Sequence, residues 1–393
     1  MRIFGIKSYL YTTAVIIVFG LFVSLARLYT SFNLVRVVLL LFMFNNIWFI
    51  FSNFTKLKFR LFSVVMISLV FIALTKGLLV NDFSDRVILD TYKPLSFILI
   101  YQLFSSIDIS LVKDKLQLIV QKLSVLFYKT SIFFGFTSFG MLLLLGGYPG
   151  MRLPAILPAA YYAAYNKKGR LIMIILAILL SGKRAVLLAI IPALIIGFNI
   201  KFTVKKVAIV LLFGIVGYFF INANWETLKQ TKGVSKFTYT IDKITKYRET
   251  NDIRVLNNVS GKRLQEITSS LYDFDFTDYV FGGGSGYTYN LYDIRREELI
   301  KVKYANVHFS PISLLTQYGI IFMILFYGFL FRSCFLGFKY SKLSGSKFLL
   351  ILSILLIGFI IESLFSFVLF VLPLLPITLG LMHSEIKYLK SQE

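Results

Sequence analysis

The sequence predicts an all-α polytopic membrane protein with one large polar loop, and three observations support this fold class. The chain is 57% hydrophobic and only 16% charged, which is more apolar than a water-soluble surface allows. Apolar runs close to the length of a membrane-spanning helix recur along the chain. A single polar stretch, at 223–305, interrupts them in the C-terminal half.

The apolar runs predict about twelve transmembrane helices, with a range of ten to twelve because several runs are shorter than the ~20 residues of an untilted span. They divide the chain into an N-terminal helix bundle at 1–222, the large loop at 223–305 and C-terminal helices at 306–393. The runs lie at about 8–26, 33–52, 61–80, 92–109, 123–147, 153–165, 170–182, 184–200, 207–222, 309–331, 347–362 and 364–382.

The basic residues predict the orientation of these helices. With the N-terminus inside, the segments facing the cytoplasm hold twenty Lys and Arg residues, whereas the short outer segments hold eight. This asymmetry places both termini in the cytoplasm and the large loop outside. The net charge of +23 is spread between apolar segments, so it indicates topology and not a nucleic-acid partner.

Ser181, Gly182, Lys183 and Arg184 separate two apolar halves, and two interpretations are open. A single helix across 171–198 would place Lys183 and Arg184 near the middle of the bilayer at about 2.5–3.5 kcal/mol each. A turn at Ser181–Gly182 avoids this penalty and is the interpretation we favour. The Lys-Arg pair then suits an anion, because arginine offers a fixed fork of donors to a phosphate. The alternative is a pair of interfacial side chains that reach the headgroups.

The outer loop contains two features of interest. Residues 260–272 carry Leu264, Ile267 and Leu271 at helical spacing, which predicts an amphipathic helix headed by Arg263. The glycine-rich stretch 282–286 lacks the Gly-Lys-Ser/Thr ending of a phosphate-binding loop, and we interpret it as a flexible loop.

The end of the loop, at 306–311, predicts a helix start with a histidine beside it. Ser310 is a candidate N-cap and Pro311 a candidate first helical residue. The positive end of the helix dipole would keep His308 neutral and able to accept a proton, and the free N–H groups there attract anions. The alternative is an ordinary interfacial histidine.

Other polar residues are assigned no chemistry. Glu362 is the clearest carboxylate inside the predicted spans, and the scarcity of such residues argues against a proton-coupled transporter. His383 is interpreted as part of a solvated terminus, and Cys334 as a small buried side chain. Two histidines and one cysteine exclude a histidine- or cysteine-rich metal centre.

Four motifs in order resemble one family. Ser-Gly-Lys-Arg at 181–184, Gly-Lys-Arg-Leu at 261–264, Phe-Gly-Gly-Gly-Ser-Gly at 281–286 and Asn-Val-His-Phe at 306–309 resemble the O-antigen polymerase and O-antigen ligase superfamily of bacterial membrane proteins. The likeness covers about 170–330. Lys183 and Phe309 depart from the family pattern, and the second departure favours a polymerase over a ligase.

The resemblance implies a GT-C-like, metal- and cofactor-independent glycosyltransferase of the bacterial inner membrane, with its loop in the periplasm. It would transfer a growing O-antigen or capsule glycan from undecaprenyl diphosphate onto a new lipid-linked repeat unit. It implies His308 as the base, and Arg184, Arg263 and Lys183 at the diphosphate. Asn306 and Ser310 would have supporting roles. A chain-length regulator protein and membrane lipids are the other expected partners.

Tyr287, Tyr289 and Tyr292 are candidates for stacking on sugars, although an interfacial aromatic belt explains them equally well. Two further functions stay open. A ligase would attach finished glycan to lipid A core or to protein, and a flippase or other transporter would work without a histidine base.

Overall fold

In a computed structural model of the protein, the described residues are 4–26, 34–81, 83–145, 152–181, 183–199, 245–246, 249, 263–293, 298–304, 306–366, 369–371 and 374–392. Most of them are helical. The predicted span at 207–222 and the motif residues Gly182, Gly261 and Lys262 lie outside the described residues.

Fourteen α-helices and one pair of strands occur within these ranges. The helices are α1 (Ile6–Ala26), α2 (Leu34–Ser52), α3 (Leu61–Val80), α4 (Asp85–Ser105), α5 (Lys113–Leu145), α6 (Ile156–Ala164), α7 (Lys168–Ser181), α8 (Arg184–Ala189), α9 (Ile191–Gly197), α10 (Arg263–Ser270), α11 (Phe276–Phe281), α12 (Ser310–Ser344), α13 (Lys347–Ser363) and α14 (Leu374–Lys390). The strands are β1 (Tyr289–Asp293) and β2 (Glu298–Tyr304).

Among the described residues, five helices are long and apolar enough to cross a membrane. They are α1, α3, α4, α5 and α12. The residues Arg36–Ser52 within α2 form a shorter apolar helix. The protein is therefore mostly α-helical, with five candidate membrane-spanning helices among the described residues, while the figure of about twelve spans stays a prediction.

The chain forms two compact units. The first combines Met1–Phe198 with Asp275–Tyr287 and Ser310–Glu393 and contains all helices except α10. The second combines Asn199–Phe274 with Thr288–Phe309 and contains α10 and the strand pair. Residues 275–287, within the predicted polar loop, thus belong to the helical unit.

Helices α6 to α9 are short and fold back on themselves. They contain nine, fourteen, six and seven residues. Gly197 at the end of α9 lies against the side chain of Leu171 near the start of α7, although a continuous helix would separate these residues by about 39 Å. The turn predicted at 181–184 is therefore confirmed, and a single helix across 171–198 is wrong.

Helix α12 is interrupted at Gly319, where φ is 83° and ψ is 171°. This left-handed φ suits glycine. A Cβ at this position would also meet the backbone of Val280 and Phe281. Helix α12 therefore consists of two helical segments, of which the first is Ser310–Tyr318, and the break at Gly319 packs against the end of α11.

The second unit also contains an antiparallel strand pair, which the sequence analysis does not predict, in a chain that is otherwise helical as expected. Tyr289 pairs with Tyr304, and Leu291 with Ile300, across a register shift between Asn290 and Leu291. In the β2 sequence, Ile300, Val302 and Tyr304 alternate with Lys301 and Lys303, a pattern typical of a strand. Helix α10 packs against β1.

Candidate functional site

His308 and Glu266 form a hydrogen-bonded pair in the second unit. The His308 Nδ1 atom lies 3.0 Å and 2.9 Å from the two carboxylate oxygens of Glu266. The backbone N–H of His308 also donates to Oε2 of Glu266, at 3.1 Å. The Glu266 side chain is 14% exposed, whereas the His308 side chain is 63% exposed. A mostly buried carboxylate thus holds an accessible imidazole by its ring and by its backbone.

This pairing determines what the imidazole can do chemically. When Nδ1 carries the proton that is directed at Glu266, Nε2 is the ring atom that accepts a proton. The carboxylate also stabilises the positive charge that forms on the ring after protonation. The arrangement therefore matches a general base held by a carboxylate, as acyl and glycosyl transfer reactions require.

The local sequence explains how the pair forms. Glu266 lies in the first turn of α10, three residues after Arg263, so both residues are on the same side of that helix. His308 follows β2 and is adjacent to Val307, which is fully buried. Asn306 is half-buried in the same connection, and Arg263 is half-buried on α10. The predicted residues Arg263, Asn306 and His308 thus belong to one unit.

Lys183 and Arg184 lie at the tip of the α7–α9 hairpin in the first unit. Lys183 is extended, with φ of −91° and ψ of 90°, and it is exposed. Helix α8 begins at Arg184. The preceding Ser181 is buried, and its hydroxyl donates to the Ile178 carbonyl at 2.8 Å. The turn therefore places Lys183 and Arg184 at the junction of two helices.

The contacts of helix α13 show which of its residues lie at the same height in the bundle as the turn at 181–184. The Lys347 ammonium group at the start of α13 lies 4.8 Å from the centre of the Tyr165 ring, just after α6 ends. A Cβ at Gly358 would lie 2.9 Å from the Ala189 carbonyl oxygen and would also meet Ile156, the first residue of α6. Helix α13 therefore runs antiparallel to α6.

The same contacts fix the direction of α8 and α9. A Cβ at Gly197 would lie 3.0 Å from Cα of Ala163, near the end of α6. Helices α6 and α8–α9 therefore run in parallel. Helix α13 is then antiparallel to α8. Arg184 precedes Ala189 by five residues, and Glu362 follows Gly358 by four residues. Because the two helices are antiparallel, the backbone of Arg184 is level with Glu362.

Glu362 forms a two-point ion pair with Arg152. The Arg152 Nε donates to Oε1 at 2.5 Å, and Nη2 donates to Oε2 at 2.7 Å. The Glu362 side chain is 2% exposed and the Arg152 side chain is 34% exposed. A buried carboxylate requires such a partner because an unpaired charge there would be costly. The pair adds a second charged centre near the end of α13.

Ser310 joins this centre through Ser366. The Ser310 hydroxyl is buried and donates to the Ser366 carbonyl at 2.8 Å, and the Ser366 hydroxyl donates to the Glu362 carbonyl at 3.0 Å. Helix α12 begins at Ser310, one residue earlier than the sequence predicts. The start of α12 is thus attached to the end of α13, on the same side of the bundle as Arg152.

The glycine-rich stretch 282–286 is wrongly interpreted as a flexible loop from the sequence. All five residues are buried in the first unit. Gly283 donates to the Thr316 carbonyl and Ser285 donates to the Ala73 carbonyl, each at 2.8 Å. The side-chain amide of Asn81 donates to the Gly283 and Ser285 carbonyls. These bonds join α3 to the first segment of α12.

This stretch does not serve as a phosphate cradle through its bonded N–H groups. Those of Gly282, Gly283, Ser285 and Tyr287 all donate to protein carbonyls. Gly282, Gly284 and Gly286 have left-handed φ angles of 78°, 86° and 81°. The glycines are needed for close packing and for these backbone angles.

The tyrosines of the loop differ in what they contact. Tyr289 is only 5% exposed and stacks on Tyr304 at 6.2 Å between ring centres, so its predicted role in stacking on sugars is wrong. Tyr287 is half-buried, and its ring lies beside Gly283. The side chain of Tyr292 lies outside the described part of the structure.

Two further predictions need correction. His383 is not part of a solvated terminus, because its Nδ1 lies 2.8 Å from the Tyr101 hydroxyl and its Nε2 lies 3.0 Å from the Ser333 hydroxyl. Asp90, which the sequence pattern did not single out, is a buried carboxylate within the candidate span α4. It lies between Arg86 at 3.5 Å and Lys93 at 3.1 Å on α4. Cys334 is buried, as predicted.

The structure therefore groups the predicted site residues into two sets. Arg263, Asn306 and His308 lie in the second unit with Glu266, and Lys183, Arg184 and Ser310 lie in the first unit with Arg152 and Glu362. No cluster of three metal-ligating side chains occurs among the residues that were described. No protein-family model and no curated protein matches the chain.

Proposed function

We propose that the protein is a polysaccharide polymerase of the bacterial inner membrane. In this reaction the growing glycan leaves its undecaprenyl diphosphate and joins a sugar hydroxyl of a new lipid-linked repeat unit at the periplasmic face. The observation that carries the proposal is the pairing of His308 with Glu266. The order of the four motifs supports a polymerase or a ligase, and Phe309 after His308 favours the polymerase.

The proposed chemistry needs a base and a cationic partner. His308 Nε2 takes the proton of the acceptor hydroxyl as the new glycosidic bond forms, and Glu266 stabilises the resulting imidazolium. The bond between the donor sugar and the diphosphate breaks, and negative charge develops on the leaving diphosphate. Arg263, Arg184 and Lys183 stabilise that charge. No metal ion or nucleotide sugar takes part in this scheme.

The membrane arrangement forms part of the proposal. About twelve spans in a GT-C-like fold would place both termini in the cytoplasm and the loop at 223–305 in the periplasm. The five candidate spans support the membrane setting. The scarcity of basic residues in the short outer segments supports the orientation. A chain-length regulator would act beside the polymerase and set the length of the product.

The first prediction is that His308→Ala abolishes polymerisation. In the proposed mechanism, no other group of the second unit takes the proton of the acceptor hydroxyl. The variant is expressed in a polymerase-null strain, and the glycan ladder is read on a gel. Arg184→Ala and Arg263→Ala should shorten or abolish the ladder, since each removes a charge from the leaving diphosphate. Arg332→Ala, a substitution of an exposed arginine on α12, is the matched control and should give the wild-type ladder.

The same gel separates the competing functions. Intact lipid-linked polymer that is not attached to lipid A core or protein would indicate a ligase. Single repeat units that accumulate on the cytoplasmic face would indicate a flippase. Wild-type ladders from all three variants, with each protein present in the membrane, would reject the polymerase proposal.

A further inference from the structure

We propose that a cavity beside Arg152 binds the hydrocarbon chain of a lipid phosphate, with Arg152 binding the phosphate itself. The cavity lies wholly in the first unit, between α1, α2, α6 and α13. Neither Arg152 nor Glu362 is assigned to the polymerase reaction above. This lipid site therefore stands whether or not the polymerase proposal is correct.

The cavity has the lining that a hydrocarbon chain requires. Its volume is about 300 Å³, at the lower end of the range for ligand pockets. Most of the lining is aliphatic or aromatic, and Arg152 and Glu362 supply its charged groups. Gly20 of α1 and Val38 of α2 both line the cavity, and a Cβ at Gly20 would touch Val38 at 3.4 Å without a clash. A single chain entering this space exchanges lipid contacts for protein contacts.

Arg152 is held in the orientation that a phosphate needs. Its Nε and Nη2 atoms bind Glu362, and the guanidinium has further N–H donors on Nη1 and Nη2. The side chain is about one-third exposed, so a ligand can reach part of it. Planar guanidinium donors suit phosphate oxygens. Glu362 acts as a positioning residue that fixes the plane of the guanidinium.

The ion pair is poorly explained by stability alone. A buried pair of this kind contributes little compared with well-packed apolar residues, because desolvation offsets the attraction between the charges. Here Arg152 faces an apolar cavity and retains N–H donors. The combination of a fixed cation with an adjacent hydrocarbon-lined space matches a molecule with an anionic head and an apolar chain.

Two lipids share this chemistry. One is a polyprenyl diphosphate and the other is an anionic membrane phospholipid. The polyprenyl source would connect the cavity to the proposed reaction, since the Arg184 backbone is level with Glu362. The phospholipid source would make the cavity a site for a structural lipid.

Native mass spectrometry of the purified full-length protein tests the proposal. The probes are farnesyl diphosphate, farnesol and phosphatidylglycerol, and the affinity of each is measured. Arg152→Gln should weaken farnesyl diphosphate binding about 10- to 100-fold, the effect of losing charge-assisted hydrogen bonds, and should leave farnesol binding unchanged. Gly20→Leu, which adds a bulky side chain to the cavity wall, should weaken the binding of both prenyl probes. Arg332→Gln is the control for arginine loss and should match the wild type.

Competition by phosphatidylglycerol identifies the source of the lipid. Equal competition supports a membrane phospholipid, and weak competition supports a polyprenyl diphosphate. Arg152→Gln leaves Glu362 without its partner, so Arg152→Gln/Glu362→Gln provides a second test without an uncompensated buried charge. Unchanged farnesyl diphosphate binding in Gly20→Leu and in a folded Arg152 variant would overturn the proposal. Because the assay measures binding alone, loss of the polymerase proposal would not affect this result.

Discussion

Glu266 gives His308 a partner that is 42 positions away in the sequence. From the sequence, the helix dipole near Ser310 is the one feature predicted to affect the protonation of the His308 ring. The structure adds a carboxylate that contacts both the Nδ1 atom and the backbone N–H of His308. The tautomer of the imidazole therefore depends on a residue from α10, and the same helix carries Arg263.

The second prediction is that Glu266→Gln lowers the rate of polymerisation by about 10²-fold or more, within the range of general base catalysis. The amide keeps the shape of the side chain but no longer stabilises the imidazolium. The measurement is the initial rate of chain extension in membrane vesicles, at several values of pH. Gln265→Ala on the same helix is the control for disturbance of α10.

A role for Glu266 in folding alone gives a different result. In that case the rate per folded molecule would equal that of the wild type, and only the yield of protein would fall. A normal rate per folded molecule would remove Glu266 from the mechanism and would weaken the case for His308 as the base.

At the scale of elements, the buried stretch 282–286 joins α3, α4 and α12. Gly284 has a φ of 86°, and a Cβ on this residue would lie 2.6 Å from the Gly77 backbone nitrogen. The Thr91 hydroxyl donates to the Ser285 hydroxyl at 3.1 Å. The segment is preceded by α11, whose N-cap Asp275 accepts a bond from the Asp278 N–H, and this bond lowers the pKa of Asp275.

The third prediction is that Gly284→Ala destabilises the protein by about 1–3 kcal/mol, because it adds both backbone strain and a steric clash. The control is Gly140→Ala on α5, where a Cβ meets no atom within 4 Å. That substitution should be neutral or stabilising by up to about 1 kcal/mol, since alanine favours a helix more than glycine does. Thermal unfolding of the purified variants in detergent measures both effects. Equal melting temperatures for the two variants would contradict the packing described for residues 282–286.

Sequence patterns locate the helices better than they locate the helix ends. Helix α4 begins at Asp85, whereas the apolar run begins at about 92, because Arg86, Asp90 and Lys93 compensate one another within the helix. Helix α14 begins at Leu374 instead of 364. A polar residue ends an apolar run in the sequence, but it does not end a helix when a partner of opposite charge is within reach.

The contacts of the candidate site are also only partly predictable from the sequence. The turn at 181–184 is predictable, because a charged pair in the middle of a bilayer is costly. The pairing of Arg152 with Glu362 and that of His308 with Glu266 are not, because both join residues far apart in the chain. The burial of the glycine-rich stretch depends on Gly77 and Gly319, which the local pattern at 282–286 does not reveal.

At the scale of the whole molecule, the contact between Leu171 and Gly197 is the observation on which the proposed topology depends. Because the hairpin returns the chain to the side on which α7 starts, the start of α7 and the end of α9 lie at the same end of these helices. In the proposed orientation this end faces the cytoplasm. A single crossing would have placed the start of α7 and the end of α9 on opposite sides.

The fourth prediction tests this topology by cysteine labelling in a Cys334→Ala background. Lys167→Cys and Asn199→Cys should react with a membrane-impermeant maleimide only after spheroplasts are permeabilised, because both sites lie at the end of the hairpin that the proposed topology places in the cytoplasm. Lys183→Cys, at the opposite end of the hairpin, should react without permeabilisation. Labelling of Asn199→Cys in intact spheroplasts, with Lys167→Cys still protected, would contradict the hairpin.

The central claim is that His308 is the base of a metal-independent polymerase. The most direct measurement is chain extension by the purified protein in liposomes that contain only lipid-linked repeat units, with EDTA present. The wild-type protein and Arg332→Ala should form longer lipid-linked glycans, whereas folded His308→Ala should form none. Extension by His308→Ala at the wild-type rate would contradict the account.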